Sequence, residues 1–443
     1  MLGFSGTSLP IAALGFAIAV QLPAFLAANI GVELLVVAGA IALARMIDIP
    51  IEPALGLMMD RTRSRLGRYR LWTVIGAPFL MIGLFMVFSA PYGAGIAYLL
   101  PWLLVMYLGI SILMLSHSAW ASVLATSYDE RARLFGVMAA VGVLGAVMVL
   151  VIPIVAERLG YSDADGARAM GWFIIGITPL AVAVVVARTP ETLARDVSGK
   201  QFRLRDYWEL IARPSMARIL AADFCLSLGP GWMAAIYVFY SRDARGFTTG
   251  EASLLLLPYV LSGLVGAPAM AWLATRISKH RATIVATTIY SALVATLLLL
   301  PKGNVAASLP LMFLIGFVAA GFNVLTRAMT ADIADEVRLI QGKERSGLIF
   351  ALTTLTTKIA TAGSIVLTFG ILERIGYDAK IGPANSAEAV RGLEIMFVSG
   401  PIFFVLVGGA CLIGYSLSAE RAAEVRRELE ARDAALAASA ETL

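Results

Sequence analysis

The chain has 443 residues, of which 59% are hydrophobic and 15% charged, with a formal net charge of +5. A mean hydropathy of +0.83 excludes an ordinary water-soluble domain and a disordered chain alike. The basic balance, with a pI near 9.2, does not mark a nucleic-acid partner, because lysine and arginine are spread over the loops between apolar runs instead of forming one polar domain.

Apolar runs of about 20 residues, long enough to cross a bilayer as helix, recur along the whole chain. They predict an all-α polytopic membrane protein with twelve transmembrane helices, at 8–29, 34–59, 71–90, 97–125, 133–156, 169–187, 216–240, 250–275, 280–300, 307–333, 345–373 and 392–417. No basic segment precedes the first run and no small-residue cleavage site follows it, so it reads as a retained helix and not a signal peptide. The loops after even-numbered spans carry the excess of lysine and arginine, as in Arg61, Arg63, Arg65, Arg68 and Arg70 after span 2. The positive-inside rule therefore places both termini in the cytoplasm.

Span 2 holds the first unusual chemistry. In "ARMIDIPIEPALGLMMDRTRSRLGRYR", residues 44–70, the side chains Arg45, Asp48 and Glu52 are spaced one helical turn apart and share a face. Ionised groups at membrane depth are unfavourable by roughly 3 kcal/mol each on insertion scales, so they line a cavity or meet a partner. The bland alternative is a structural ion pair, but one arginine cannot neutralise two acids. Pro50 and Pro53 remove backbone donors in the same stretch and predict a kink or local irregularity.

Beyond span 4, with Ser116, His117 and Trp120, and span 6, the long segment 188–215 separates six spans from six. This divides the chain into a first half at 1–187, a linker at 188–215, a second half at 216–417 and a tail at 418–443. "DYWELIARP" in the linker suits a short interfacial helix with Trp208 on the membrane surface, and the tail suits a solvated helix of alternating charge. "EPALGLMMDR" at the end of span 2 is echoed by "APAMAWLATR" at the end of span 8, which supports two parallel repeats. At that offset Asp48 falls on Gly263 and Glu52 on Ala267, so the second half builds the same helix without either acid.

Span 7 adds a third intramembrane acid, Asp223, and span 11 a lysine, Lys358, amid Thr353, Thr354, Thr356, Thr357 and Thr361. Lys358 lies near mid-span, too far from a helix end for snorkelling to explain it easily, and it is the natural second cation for the span 2 acids. Cys225 and Cys411 lie in apolar spans with neither metal-ligand nor disulfide spacing and read as packing residues. Without a phosphate-cradling glycine loop, a nucleophile triad or metal spacing, the sequence reads as no enzyme, with no cofactor and no metal.

"RMIDIPIEPALGLMMDRTRSRLGRYR" resembles the span 2 signature of the glycoside-pentoside-hexuronide:cation symporters, a branch of the major facilitator superfamily that includes the melibiose permeases. "AMTADIADEVRLIQGKERSGLIFALTTLTTK" is similar to that family's passage from span 10 into span 11, and Trp120 in "SHSAWASVLATSYDERAR" matches a span 4 tryptophan. The resemblance implies the major facilitator fold of two six-helix halves, a multi-pass protein of the bacterial inner membrane, and cation-coupled symport of a small solute by alternating access. It implies that Asp48 and Glu52 bind the coupling ion, H+ or Na+, with Lys358 and Arg45 balancing their charge. It implies also a gate at Asp60, Arg61 and Arg65, with Arg327, Asp332 and Asp335 as its counterpart at the end of span 10.

Departures from the family pattern narrow the expectation. Ala12, Ser116 and Val141 stand where sugar-binding members carry two aspartates and an arginine, so a melibiose-like clamp is absent. Ser116, His117, Trp120, Thr354 and Asp223 remain as substrate-binding candidates. Ile51 and Leu113 replace an asparagine and a threonine of the sodium site; sodium needs several oxygen ligands and a proton only a carboxylate, which favours proton coupling. The neutral clamp leaves a transporter of amphiphiles such as lysolipids or aryl glycosides as an alternative, and a non-transport assembly or pigment-handling protein as another. A small-molecule substrate, surrounding lipid and a monomeric state are the expected partners and assembly.

Overall fold

The computed structural model describes residues 2–124, 128–191, 210–341 and 346–441. Twelve helices long and apolar enough to cross a membrane account for most of them. They are α1 (Gly3–Asn29), α2 (Leu34–Arg61), α3 (Arg68–Phe88), α4 (Ile96–Leu124), α5 (Tyr128–Arg158) and α6 (Asp163–Arg188). The second set is α7 (Pro214–Ala244), α8 (Thr249–Ile277), α9 (Lys279–Leu299), α10 (Val305–Gln341), α11 (Ser346–Arg374) and α12 (Ala387–Ala410). Twelve crossings put both chain ends on one face. Large apolar side chains such as Phe79, Leu144, Trp172 and Phe403 point outward and exposed, as suits a protein solvated by hydrocarbon.

Neighbour relations repeat with a shift of six helices. In the first set α1 packs on α5 and α6, α2 on α4, and α3 on α4 and α6; in the second α7 packs on α11 and α12, α8 on α10, and α9 on α10 and α12. Three contacts join the sets: α1 with α7, α2 with α11, and α5 with α8. The last two exchange under the same shift, so the joint is itself two-fold symmetric. The echo between spans 2 and 8 thus belongs to a repeat of whole helix bundles.

Local geometry departs from expectation at two places. α2 runs as one helix straight through Pro50 and Pro53. The irregularity lies in α1, where two π turns, Ala17–Gln21 and Phe25–Asn29, flank Pro23; a residue without an N–H interrupts the regular ladder, and the wider turns absorb it. α1 meets α7 through this stretch, Ala17–Gln21 and Leu22–Ala24, toward the face opposite the termini. On that face Gly250 N, in the first turn of α8, donates to Glu157 Oε2 at the end of α5 (2.6 Å).

On the terminus face the linker is tied down. Glu191 accepts hydrogen bonds from the backbone N–H groups of Arg68, Tyr69 and Arg70 at 2.7, 2.8 and 3.1 Å, an anion seated on the exposed donors of the α3 N-terminus. Gly67 precedes it at φ 102°, a conformation other residues resist. Of the expected interfacial helix at 206–214, residues 206–209 with Trp208 lie outside the described residues, and Leu210 is buried in the core of the second set. The tail forms a helix, α13 (Ala419–Glu441), which is docked where a solvated one was expected: Val425 and Leu429 are buried, so its apolar positions cover the end of the second set.

Candidate functional site

The buried charges meet at the joint between α2 and α11. Lys358 Nζ lies 3.0 Å from Asp48 Oδ2 and is also paired with a carboxylate oxygen of Glu52. Asp48 is 2% exposed, Lys358 17% and Glu52 21%, so one side of the group is sealed and the other open. The one-turn spacing read from the sequence is what lets a single ammonium reach both acids.

A fourth residue completes the group. Ser111 of α4 is buried, and its Oγ lies 2.8 Å from Asp48 Oδ1 and 3.1 Å from Glu52 Oε1. A hydroxyl has one proton, so it donates to one carboxylate at a time. Ser111 is absent from the sequence reading, which tested Leu113 and Ser116 on this span; only its polarity within an apolar run marks it. A hydrogen bond to a charged group contributes about 1.5–3 kcal/mol. Ser111→Ala is therefore expected to lower the melting temperature of the detergent-solubilised protein by a corresponding step; an unchanged Tm would remove the hydroxyl from the group.

Arg45 stands one turn from Asp48 and, among the described residues, bonds neither acid. Its guanidinium carbon lies 4.1 Å from the centroid of the buried Tyr107 ring, a cation–π contact, while Lys358 alone bridges the acids. Two carboxylates thus share one bonded ammonium and one hydroxyl.

Beside it lies a central cavity of about 610 Å³ lined by α1, α7, α8, α10 and α11. Asp223 lines it and accepts from Thr357 Oγ1 at 2.9 Å; Thr357 and Lys358 are consecutive, so adjacent positions on α11 contact the cavity acid and the α2 acids. Arg327 is near enough to act electrostatically on Asp223. Gly263, the position that the repeat equates with Asp48, forms part of the opposite wall.

Other candidates are placed elsewhere. Trp120 is 1% exposed, packed edge-on against Phe4 and beside Tyr69, Leu134 and Val185, so it offers no stacking face. Ser116 is buried between Thr73 Oγ1, 3.1 Å away, and the Leu113 carbonyl. His117 stacks on Phe4 and its Nε2 bonds Ser8 Oγ at 3.2 Å. Thr354 is exposed and back-bonds to the Phe350 carbonyl, while Thr357 and Thr361 face the cavity. α4 turns Ser116 and Trp120 into the first bundle, and α11 turns Thr354 away.

The charged ends of α2 and α10 also sort differently. Arg61 and Arg65 are exposed, and the Asp60 side chain lies outside the described residues. Asp332 pairs with Lys279, 2.6 Å away within the same set, and Asp335 lies 3.8 Å from Arg426 of α13. The ties formed at this face hold each set together.

The fold matches solved transporters. The nucleoside transporter NupG superposes with a TM-score of 0.69 at 11% identity, covering 94% of this chain and 98% of that one. With twelve spans in two repeats, the chain shares that fold and is an integral multi-pass membrane protein. The family described as "MFS/sugar transport protein" matches residues 3–419, and the chain belongs to it, within the glycoside-pentoside-hexuronide:cation symporters. Among curated relatives, the isoprimeverose transporter of Lactiplantibacillus pentosus is 24% identical, covering 88% of this chain and 80% of its own. A putative glycoside/cation symporter of Escherichia coli (strain K12) is 23% identical, with 87% and 84% covered. The sodium-dependent lysophosphatidylcholine symporter 1-B of Danio rerio is 21% identical, with 84% and 78% covered.

Proposed function

We propose that the chain couples entry of a sugar or glycoside to a proton, working as a monomer by alternating access in the bacterial inner membrane with both termini cytoplasmic. The observation that carries this is the Lys358 bridge: an ammonium of one bundle neutralises acids of the other. A cation arriving at Asp48 and Glu52 competes with Lys358 for the same oxygens. Its binding alters the charge holding α2 to α11, and so the balance between the two arrangements of the halves.

Contacts between the halves gather toward the face opposite the termini, at Ala17–Gln21 and at Glu157 with Gly250. With the termini cytoplasmic, this is an inward-facing conformation with the outer gate shut. Arg61 and Arg65 would then be gate charges released from their closed-state partners, with Asp60 on the same motif, while Arg327, Asp332 and Asp335 brace the opposing helix.

Proton is preferred to sodium because, among the described residues, the acid pair is supplemented by one hydroxyl, Ser111. Proteoliposomes holding the purified chain are expected to accumulate a glycoside when a pH gradient is imposed, and not when a sodium gradient alone is imposed. Accumulation driven by sodium at equal pH would overturn the ion assignment; no driven uptake of any glycoside would overturn the function.

A further inference from the structure

The cavity continues into a second lobe. A space of about 480 Å³ lies between α1, α4 and α5, and it shares Ala12, Phe16 and Val260 with the central cavity. Both volumes fall within the roughly 300–1,000 Å³ of small-molecule sites.

The two lobes differ in chemistry. The central lobe collects hydrogen-bonding side chains on one wall: Asp223 and Ser227 from α7, Asn323 and Thr326 from α10, Thr357 and Thr361 from α11. The α1 and α8 walls opposite are Ala19, Val20, Val260 and glycines, with Tyr259. In the second lobe Ile11, Met114, Phe135, Met138, Ala139 and Val143 present carbon. Its Ser8 Oγ and His117 Nε2 bond each other, leaving His117 Nδ1, buried without a partner among the described residues, and the exposed hydroxyl of Ser118 as its polar atoms.

A carboxylate, an amide and hydroxyls on one wall can accept from and donate to a polyol. A lobe of carbon side chains gives nothing to hydroxyls and desolvates them unfavourably, but it gains by covering an apolar group at about 25 cal/mol per Å² buried. A free sugar would fill the first lobe and leave the second to water. Resting on the glycoside:proton reading above, we infer that the substrate is an amphipathic glycoside. Its sugar ring lies against α7, α10 and α11, and its apolar aglycone reaches between α4 and α5. The polar wall is thus in the half opposite to the missing clamp positions Ala12, Ser116 and Val141, which explains how a member without that clamp can still hold a sugar.

The test is counterflow and binding with the full chain in proteoliposomes, using 4-nitrophenyl glucoside, galactoside and xyloside beside the corresponding methyl glycosides and lysophosphatidylcholine. At least one aryl glycoside is expected to bind about tenfold or more tightly than its methyl counterpart, a difference of about 1.4 kcal/mol. Ala139→Trp, filling the second lobe, should erase that preference while methyl glycoside exchange persists. Phe135→Ala, which removes an aromatic contact without overfilling, should reduce it in the same direction, so a poorly folded tryptophan variant does not leave the question open. Asp223→Asn should weaken aryl and methyl glycosides together.

Equal binding of aryl and methyl glycosides, or a preference surviving both lobe variants, overturns the amphipathic inference while proton-driven uptake still stands for the symport reading. Exchange of lysophosphatidylcholine with no glycoside, or no exchange of any compound by monodisperse protein, overturns both.

Discussion

Asp48→Asn is expected to abolish uphill accumulation while downhill exchange of the same solute continues. The variant keeps the side-chain volume and a carbonyl oxygen for Ser111, and Lys358 keeps Glu52, so no buried ammonium is left bare. What changes is the protonatable group: an amide cannot take up a proton as the Asp48 carboxylate can, and one acid is left bonded to the ammonium. Typical coupling free energies of about 1–3 kcal/mol correspond to a 5–150-fold change in affinity, so the accumulation ratio should fall by that order toward unity. Uptake against a gradient, compared with equilibrium exchange in the same vesicles, measures it. Full accumulation by the variant would remove Asp48 from the coupling site.

Lys358→Met is expected to be more damaging to the folded protein. It leaves Asp48, 2% exposed, and Glu52 side by side with no bonded cation. Removing one partner of a buried ion pair is unfavourable by about 3–5 kcal/mol, because the remaining charge stays desolvated. Combining it with Asp48→Asn should recover much of that loss, since one of the stranded charges disappears. A double-mutant cycle on thermal unfolding in detergent should give an interaction of about 0.5–3 kcal/mol. Strict additivity would mean that the contact between α2 and α11 carries no energetic coupling.

The spans, the two-bundle repeat and three of the four groups at the joint were readable from the sequence for one reason. A bilayer makes long apolar helices obligatory and intramembrane charge rare, so Asp48, Glu52, Asp223 and Lys358 stood out against their background. Ser111 did not stand out because a lone serine carries no such penalty. Alignment to the family placed the span 4 partner at Leu113, two residues away. Two residues on a helix are about 200° of rotation, enough to exchange the inward face for its opposite.

The same limit explains Trp120 and Ser116. Their polarity and size were visible, but the direction in which α4 turns them depends on Phe4 and Thr73, residues remote in sequence. The π turns of α1 follow from Pro23, whereas Pro50 and Pro53 leave α2 unbroken. Prolines alone did not tell which helix would yield, because the neighbours packed around each one decide that.

The contact between Glu157 and Gly250 has unequal sides. One is a carboxylate that most substitutions at 157 delete; the other is a main-chain N–H at a glycine, where a Cβ would collide with that same carboxylate oxygen. The latch therefore needs an acid at 157 and a bare backbone at 250, so a change at either position would release it. On the alternating-access reading proposed above, related chains can drift in how long the outer face stays shut through these two positions, without altering the sites that bind solute or ion.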